Sequence, residues 1–168
     1  MLYEIAIPQW IKMLNNLKNI LEKASHHAEM KGYDFSVLLH ARLAPDQFNL
    51  IRQVQIATDM CKLGAARLAG KEAPKHEDTE KTLSELSGRI DAVIQFLEGF
   101  TAADFAGAAE RQIFHPRWDG KYLTGKEFML EYSQPNIYFH ITTAYAILRH
   151  NGVDVGKKDY LGELPLKG

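Results

Sequence analysis

Asn136 and His140 stand one helical turn apart in the stretch Pro135 to Gly152, and an amide and an imidazole at that spacing can bind a metal ion or a polar ligand. The stretch reads as one helix. Pro135 suits its first turn, and Asn151-Gly152 supplies a left-handed stop. Ile137, Ile141, Ala144 and Leu148 recur at helical spacing and form an apolar face that must pack on other helices. Asn136, His140, Thr143 and Ile147 run beside that face, so the two polar groups lie on the margin of a buried surface. Polar groups gathered there must satisfy one another, hold water or bind something. If the chain is an enzyme, His140 is the candidate catalytic residue, as general base or as a metal's one imidazole ligand, with neighbouring amides orienting water or substrate.

Three further helices must bring partners to that row. Trp10, Leu14, Leu17, Leu21 and Ala24 alternate steps of four and three and mark a helix that stops at Lys31-Gly32. If it begins as early as Tyr3 or Glu4, Pro8 falls in its first turn or kinks it. Met13, Ile20 and His27 form the neighbouring row, which puts His27 near the inward face at the helix end. Tyr33 to Pro45 is too short and apolar for a solvated linker and predicts a turn or two of helix and a packed connection. Pro45-Asp46 opens the next helix, with Leu50, Val54, Ala57, Cys61, Gly64 and Leu68 on one stripe, Gln53 on its border and Ala69-Gly70 at its end. Gly64, Ala65 and Ala66 leave room for a close neighbour. After a polar connection, Asp78 or Thr79 caps a helix whose Thr79, Leu83, Leu86, Ile90, Val93, Leu97 and Phe100 keep a heptad rhythm. An antiparallel bundle of these helices can bring His27 and Gln53 to the zone of Asn136 and His140.

The remaining segments are less regular. Thr101 to Gly125 breaks the helical pattern, and Arg111 to His115 and Lys121 to Thr124 flank a Pro/Trp/Asp/Gly turn that predicts a small hairpin. Gly125 to Ser133 predicts a short helix that Pro135 interrupts, and the tail beyond Gly152 predicts irregular chain over one end of the bundle. Tyr138, Phe139 and Tyr145 are expected to pack against the hairpin excursion, and Arg89, Asp59 and Arg67 to form ion pairs between helices. His26, His40, His76 and His115 read as solvated, and His150 as a cation suited to a helix C-terminus. Cys61, on an apolar stripe, reads as a buried structural thiol.

Composition narrows the function classes. A chain of 168 residues with 46% hydrophobic content fits one domain spanning residues 1–168. Twenty basic against twenty-one acidic residues leave a net charge of -1, which favours neither nucleic acid nor an anionic membrane as partner. There is no basic leader before an apolar core and no apolar run of about 18 residues, so the expectation is a soluble cytoplasmic protein. One cysteine excludes an intramolecular disulfide. A Gly-rich phosphate loop, a Gly-x-Ser-x-Gly elbow and a His-Glu-x-x-His helix are all lacking.

The pieces Ala41-Arg42-Leu43-Ala44-Pro45-Asp46, Arg52-Gln53-Val54-Gln55-Ile56-Ala57 and Ala66-Arg67-Leu68-Ala69-Gly70 carry a family resemblance. Asn136 to Gly152, followed by Gly156-Lys157-Lys158-Asp159-Tyr160-Leu161-Gly162, carries it most specifically. Over nearly its whole length the chain resembles the DUF1993 family, placed in the DinB/YfiT-like superfamily of metalloenzymes. The resemblance implies an all-α, four-helix bundle with a long crossover and short additional helices or hairpin, and a homodimer joined through helix faces. It also implies a divalent metal held by one histidine on the second helix and an H-x-x-x-H pair on the fourth. Here His140 matches the second histidine of the pair, while Asn136 and Gln53 stand at the other two positions. Amides are poor ligands for zinc or nickel beside imidazole. The resulting expectation is a central polar pocket of His27, Gln53, Asn136 and His140 that binds a small ligand or a weakly held divalent metal, His140 being the candidate metal ligand. A metal-free structural or protein-interaction dimer is the alternative, with a metal-dependent hydrolase or thiol transferase third.

Overall fold

The computed structural model describes residues 2–168; Met1, first residue of the expected domain, lies outside the described residues. Four long helices form the body: α1 (Leu2–Lys31), α3 (Leu50–Ala69), α4 (Leu83–Glu98) and α6 (Gln134–His150). Between α1 and α3 lies the one-turn α2 (Ser36–Leu39). Strands β1 (Gln112–Phe114) and β2 (Tyr122–Thr124) pair antiparallel, Ile113 opposite Leu123, as the turn residues between them predict. The stripe Trp10, Leu14, Leu17, Leu21 and Ala24 is wholly buried, as are Ile137, Ile141, Ala144 and Leu148 of α6. Cys61 is buried on the stripe of α3, where burial pushes its thiol pKa up and keeps it inert.

Contacts fix the helix directions. Trp10 and Ser133 both close on Gly64, where an added Cβ would lie 3.1 Å from the indole and 2.7 Å from the Ser133 hydroxyl. Gln9 bears on Tyr138 near the start of α6, while Lys23 bonds Asp159 beyond its end. Thus α1 and α6 run the same way, antiparallel to α3. Arg89 of α4 reaches Thr58 of α3 near the middle of both helices, and Lys71 just past α3 lies 5.2 Å from the ring centre of Phe100 just past α4, so α4 runs with α3. The order is up, down, down, up, and the chain from Lys71 to Thr82 must cross the length of the bundle between α3 and α4.

Several element ends depart from the sequence reading, each for a local reason. Helix α3 starts at Leu50 rather than at Pro45, because Asn49 caps it by accepting from Arg52 N at 3.1 Å. Helix α4 starts at Leu83, not at Thr79, because Thr82 and Glu85 form a reciprocal capping box while Asp78 is engaged by arginines. Pro135 does not interrupt the chain. A short α5 (Gly125–Glu127) passes into a π turn over Phe128–Ser133, and Pro135, which has no N–H, sits where the α pattern resumes. The tail is not wholly irregular: Lys157–Leu161 forms α7 along α1, with Asn16 Nδ2 donating to Tyr160 O at 2.9 Å.

Candidate functional site

Gln53 and His140 come together across the α3–α6 contact. The Gln53 side chain is buried at 1% exposure, and its Nε2 donates to the Phe48 carbonyl at 3.0 Å. That bond leaves Oε1 facing His140, and the His140 Nδ1–H donates to it at 2.7 Å. The tautomer follows: with the proton on Nδ1, the free lone pair of the partly buried ring is on Nε2. Burial pushes the His140 pKa down, and the positive charge of Arg52 adds to the effect, bringing it from 6.5 to about 4. The ring is therefore a neutral hydrogen-bond acceptor near pH 7. Exposed Phe139 packs edge-on against it, 5.1 Å between centroids, and exposed Phe48 lies under the Arg52 guanidinium, 5.8 Å from carbon to ring centre.

The other two expected members stand differently. Asn136 lies one turn below His140 as its spacing requires, but its Nδ2 turns back to the Tyr132 carbonyl at 2.6 Å. His27 lines a separate depression with His26, Asp154 and Asp159. Because α1 and α6 run in the same direction, His27 sits near the far end of α6, on the order of 15 Å along the bundle from His140 at about 1.5 Å per residue.

These donors do not suit a divalent metal. There is a single imidazole, both ends of the Gln53 amide are engaged, and the Asn136 amide nitrogen is bonded to the turn before its helix. Among the described residues no group of three or more His, Cys, Asp or Glu is placed to hold a metal ion. Tetrahedral zinc sites draw on several imidazoles, thiolates or carboxylates.

Beside the pair lies an ionic network that the sequence reading only touched. Arg89, whose side chain is 1% exposed, meets Asp59 at 2.9 Å, Asp78 at 2.9 Å and Glu80 at 3.0 Å, and its Nε donates to Thr58 Oγ1 at 2.8 Å. Arg52 also bonds Asp78, which joins the network to the edge of the His140 site. The carboxyls of Asp78 and Glu80 are held below their usual range by these arginine contacts and by Gln55, against the effect of burial. His76 is not solvated: buried Lys62 donates to its Nδ1 at 2.9 Å. His115 is packed in an aromatic cluster, 5.2 Å from Trp118 and 5.7 Å from Tyr132. Arg67 lies over the Phe128 ring rather than in an ion pair, and Tyr145 packs on Tyr160 rather than on the hairpin. The adjacency of Arg52 to Gln53 and a run of acids before α4 were the available signals; which arginine they would meet depends on the fold.

A bundle with this order of helix directions, crossed by a long connection and carrying a polar pair between its second and fourth long helices, is a DinB-like all-α bundle. The chain belongs to the DUF1993 family, described as a domain of unknown function, whose model matches residues 2–161. The crystal structure of a DinB family member protein from Shewanella denitrificans is 62% identical in sequence and superposes with a TM-score of 0.97, covering 100% of this chain and 96% of that chain. No curated protein matches the sequence. Among the described residues, no helix is long and apolar enough to cross a membrane.

Proposed function

We propose that this chain is a ligand-binding member of the DinB-like bundles, in which the Gln53–His140 pair presents a fixed neutral imidazole to a small polar ligand. The observation that carries the reading is the 2.7 Å bond from His140 Nδ1 to Gln53 Oε1, which leaves Nε2 as an acceptor for a ligand hydroxyl or amide N–H. A pKa brought to about 4 suits recognition better than proton abstraction, since a general base works best with a pKa near the operating pH. For the same reason, and because the donors do not suit a metal, a metal-dependent hydrolase or thiol transferase ranks behind a binding role. The unit is read as one domain, acting in the cytoplasm without a nucleic-acid partner, in keeping with its balanced charge.

The test joins nitrogen NMR of His140 to metal analysis. The Nδ1–H tautomer is expected at pH 7, and hydroxyl- or amide-bearing fragments should perturb Nε2 in the parent chain and fail to bind His140→Ala. An Nε2–H tautomer, or near-stoichiometric metal lost on His140→Ala, would overturn the reading. A second reading, a homodimer, is supported by Phe48 and Phe139, which are 56% and 57% exposed beside the pair. Sedimentation of the parent chain and of Phe139→Glu distinguishes it: a dimer that dissociates in the variant favours association through this face.

A further inference from the structure

A cleft of about 570 Å³ opens between the hairpin and the π turn over Phe128–Ser133, and neither Gln53 nor His140 lines it. Three rings do. Trp118 and Tyr132 meet at right angles, their centroids 5.2 Å apart and their planes at 89°, and Tyr122 joins them from β2. Each ring is braced from outside the cleft. Fully buried Phe128 stacks on Tyr132 at 5.5 Å and packs edge-on against Trp118 at 6.3 Å, while Phe114, paired with Tyr122 across the hairpin, packs on that ring at 5.6 Å. Walls held in this way lose little freedom when a further ring settles against them.

Charge around the rings narrows the ligand. Arg117 and Lys121 share the lining with Asp119 and Glu131, and among the described residues none of these four side chains has a hydrogen bond or an ion pair. A simple cation or a simple anion therefore meets as much repulsion as attraction there, whereas a molecule carrying both signs finds a partner for each. Arginine is the cation best shaped for a carboxylate, which it can grip with two parallel N–H bonds. We propose that this cleft binds a free aromatic α-amino acid, its ring against Trp118 and Tyr132, its carboxylate on Arg117 and its ammonium group on the carboxylates of Asp119 and Glu131.

The full-length chain, labelled with ¹⁵N, is titrated with L-phenylalanine and, in parallel, with phenethylamine, 3-phenylpropionate and L-alanine, which lack in turn the carboxylate, the ammonium group and the ring. The chain has two tryptophans, so two indole N–H signals report. The expected result is a saturable shift of the Trp118 signal alone, with L-phenylalanine bound several-fold more tightly than any comparator. Arg117→Gln should bring L-phenylalanine down to the level of phenethylamine, and the double change Asp119→Asn with Glu131→Gln to that of 3-phenylpropionate. All three positions are exposed, and asparagine tolerates the left-handed backbone of Asp119, φ 49°, so the variants keep the fold. No saturable shift at Trp118, a comparator bound as tightly as L-phenylalanine, or undiminished affinity in either variant would each overturn the proposal.

Discussion

Replacing Gln53 with leucine removes two bonds at once: the acceptor that orients the His140 ring and the donor that satisfies the Phe48 carbonyl. Gln53→Leu is expected to cost about 1–3 kcal/mol for buried partners left unpaired, measured by urea unfolding, and to let His140 sample both tautomers. The pH dependence of the parent chain follows from the same ring. The folded imidazole titrates at about 4 against an ordinary value of 6.5, so between those values the unfolded chain binds the extra proton. Stability from His140 is therefore complete above 6.5 and is lost as pH falls towards 4, by on the order of 1–2 kcal/mol once screening at a partly exposed ring is allowed for. Proton NMR of the His140 ring gives the midpoint directly; a value near 6.5 contradicts the burial described. The Asn136–His140 spacing was legible in sequence because helical periodicity is local. The back-bond of Asn136 to Tyr132 O and the distance of His27 were not, since the first depends on the rotamer within its own helix and the second on the direction of α1 relative to α6.

The crossover from Lys71 to Thr82 has little regular structure and depends on cations of α3 and α4 for its position. Arg89→Met leaves Asp59, Asp78 and Glu80 without their shared partner; breaking a buried pair from one side costs about 3–5 kcal/mol. Thermal unfolding measures the loss, and hydrogen exchange should place the loosening in residues 71–82. His76 makes the same segment sensitive to acid. Its pKa is held below 6.5 by burial and by the charges of Lys62 and Arg89, against opposing contributions from Asp59 and Glu80. The unfolded or detached segment binds the proton more readily, so the attachment is complete above 6.5 and weakens as pH falls below it. Exchange in residues 71–82 should quicken over that interval in the parent chain and lose the effect in His76→Gln; equal acid sensitivity in both places the titration elsewhere. Sequence patterns identified the polar connection and the heptad rhythm of α4, but put the cap at Asp78 or Thr79. Asp78 is drawn instead into contacts with Arg52 of α3 and with Arg89 well inside α4, partners that local capping rules do not contain.

At the scale of the whole molecule, one of the points that join the excursion containing the hairpin to the bundle is especially crowded. Gly125 follows β2, and a Cβ built on it would stand 1.8 Å from the Ala108 carbonyl oxygen and 3.3 Å from Leu68 of α3. The nearest atoms, the Ala108 carbonyl oxygen and carbon, are main chain and cannot swing aside, while Lys126 N holds the register by donating to Ala109 O at 3.0 Å. The need for glycine here is steric and could not be read from a pattern that marked Gly125 as the end of an irregular stretch and the start of a short helix. Gly88 gives the contrasting case: it lies exposed within α4, with nothing within 4 Å of the site a Cβ would take. Gly88→Ala should stabilise the chain by about 0.5–1 kcal/mol through reduced freedom of the unfolded state. Gly125→Ala must instead displace the Ala108 peptide and with it the seating of the hairpin on α3, at a cost of at least 1–3 kcal/mol as for overpacked cores. Melting temperatures of the two variants should therefore move in opposite directions from the parent. If Gly125→Ala melts with the parent, the excursion is not fastened through this contact.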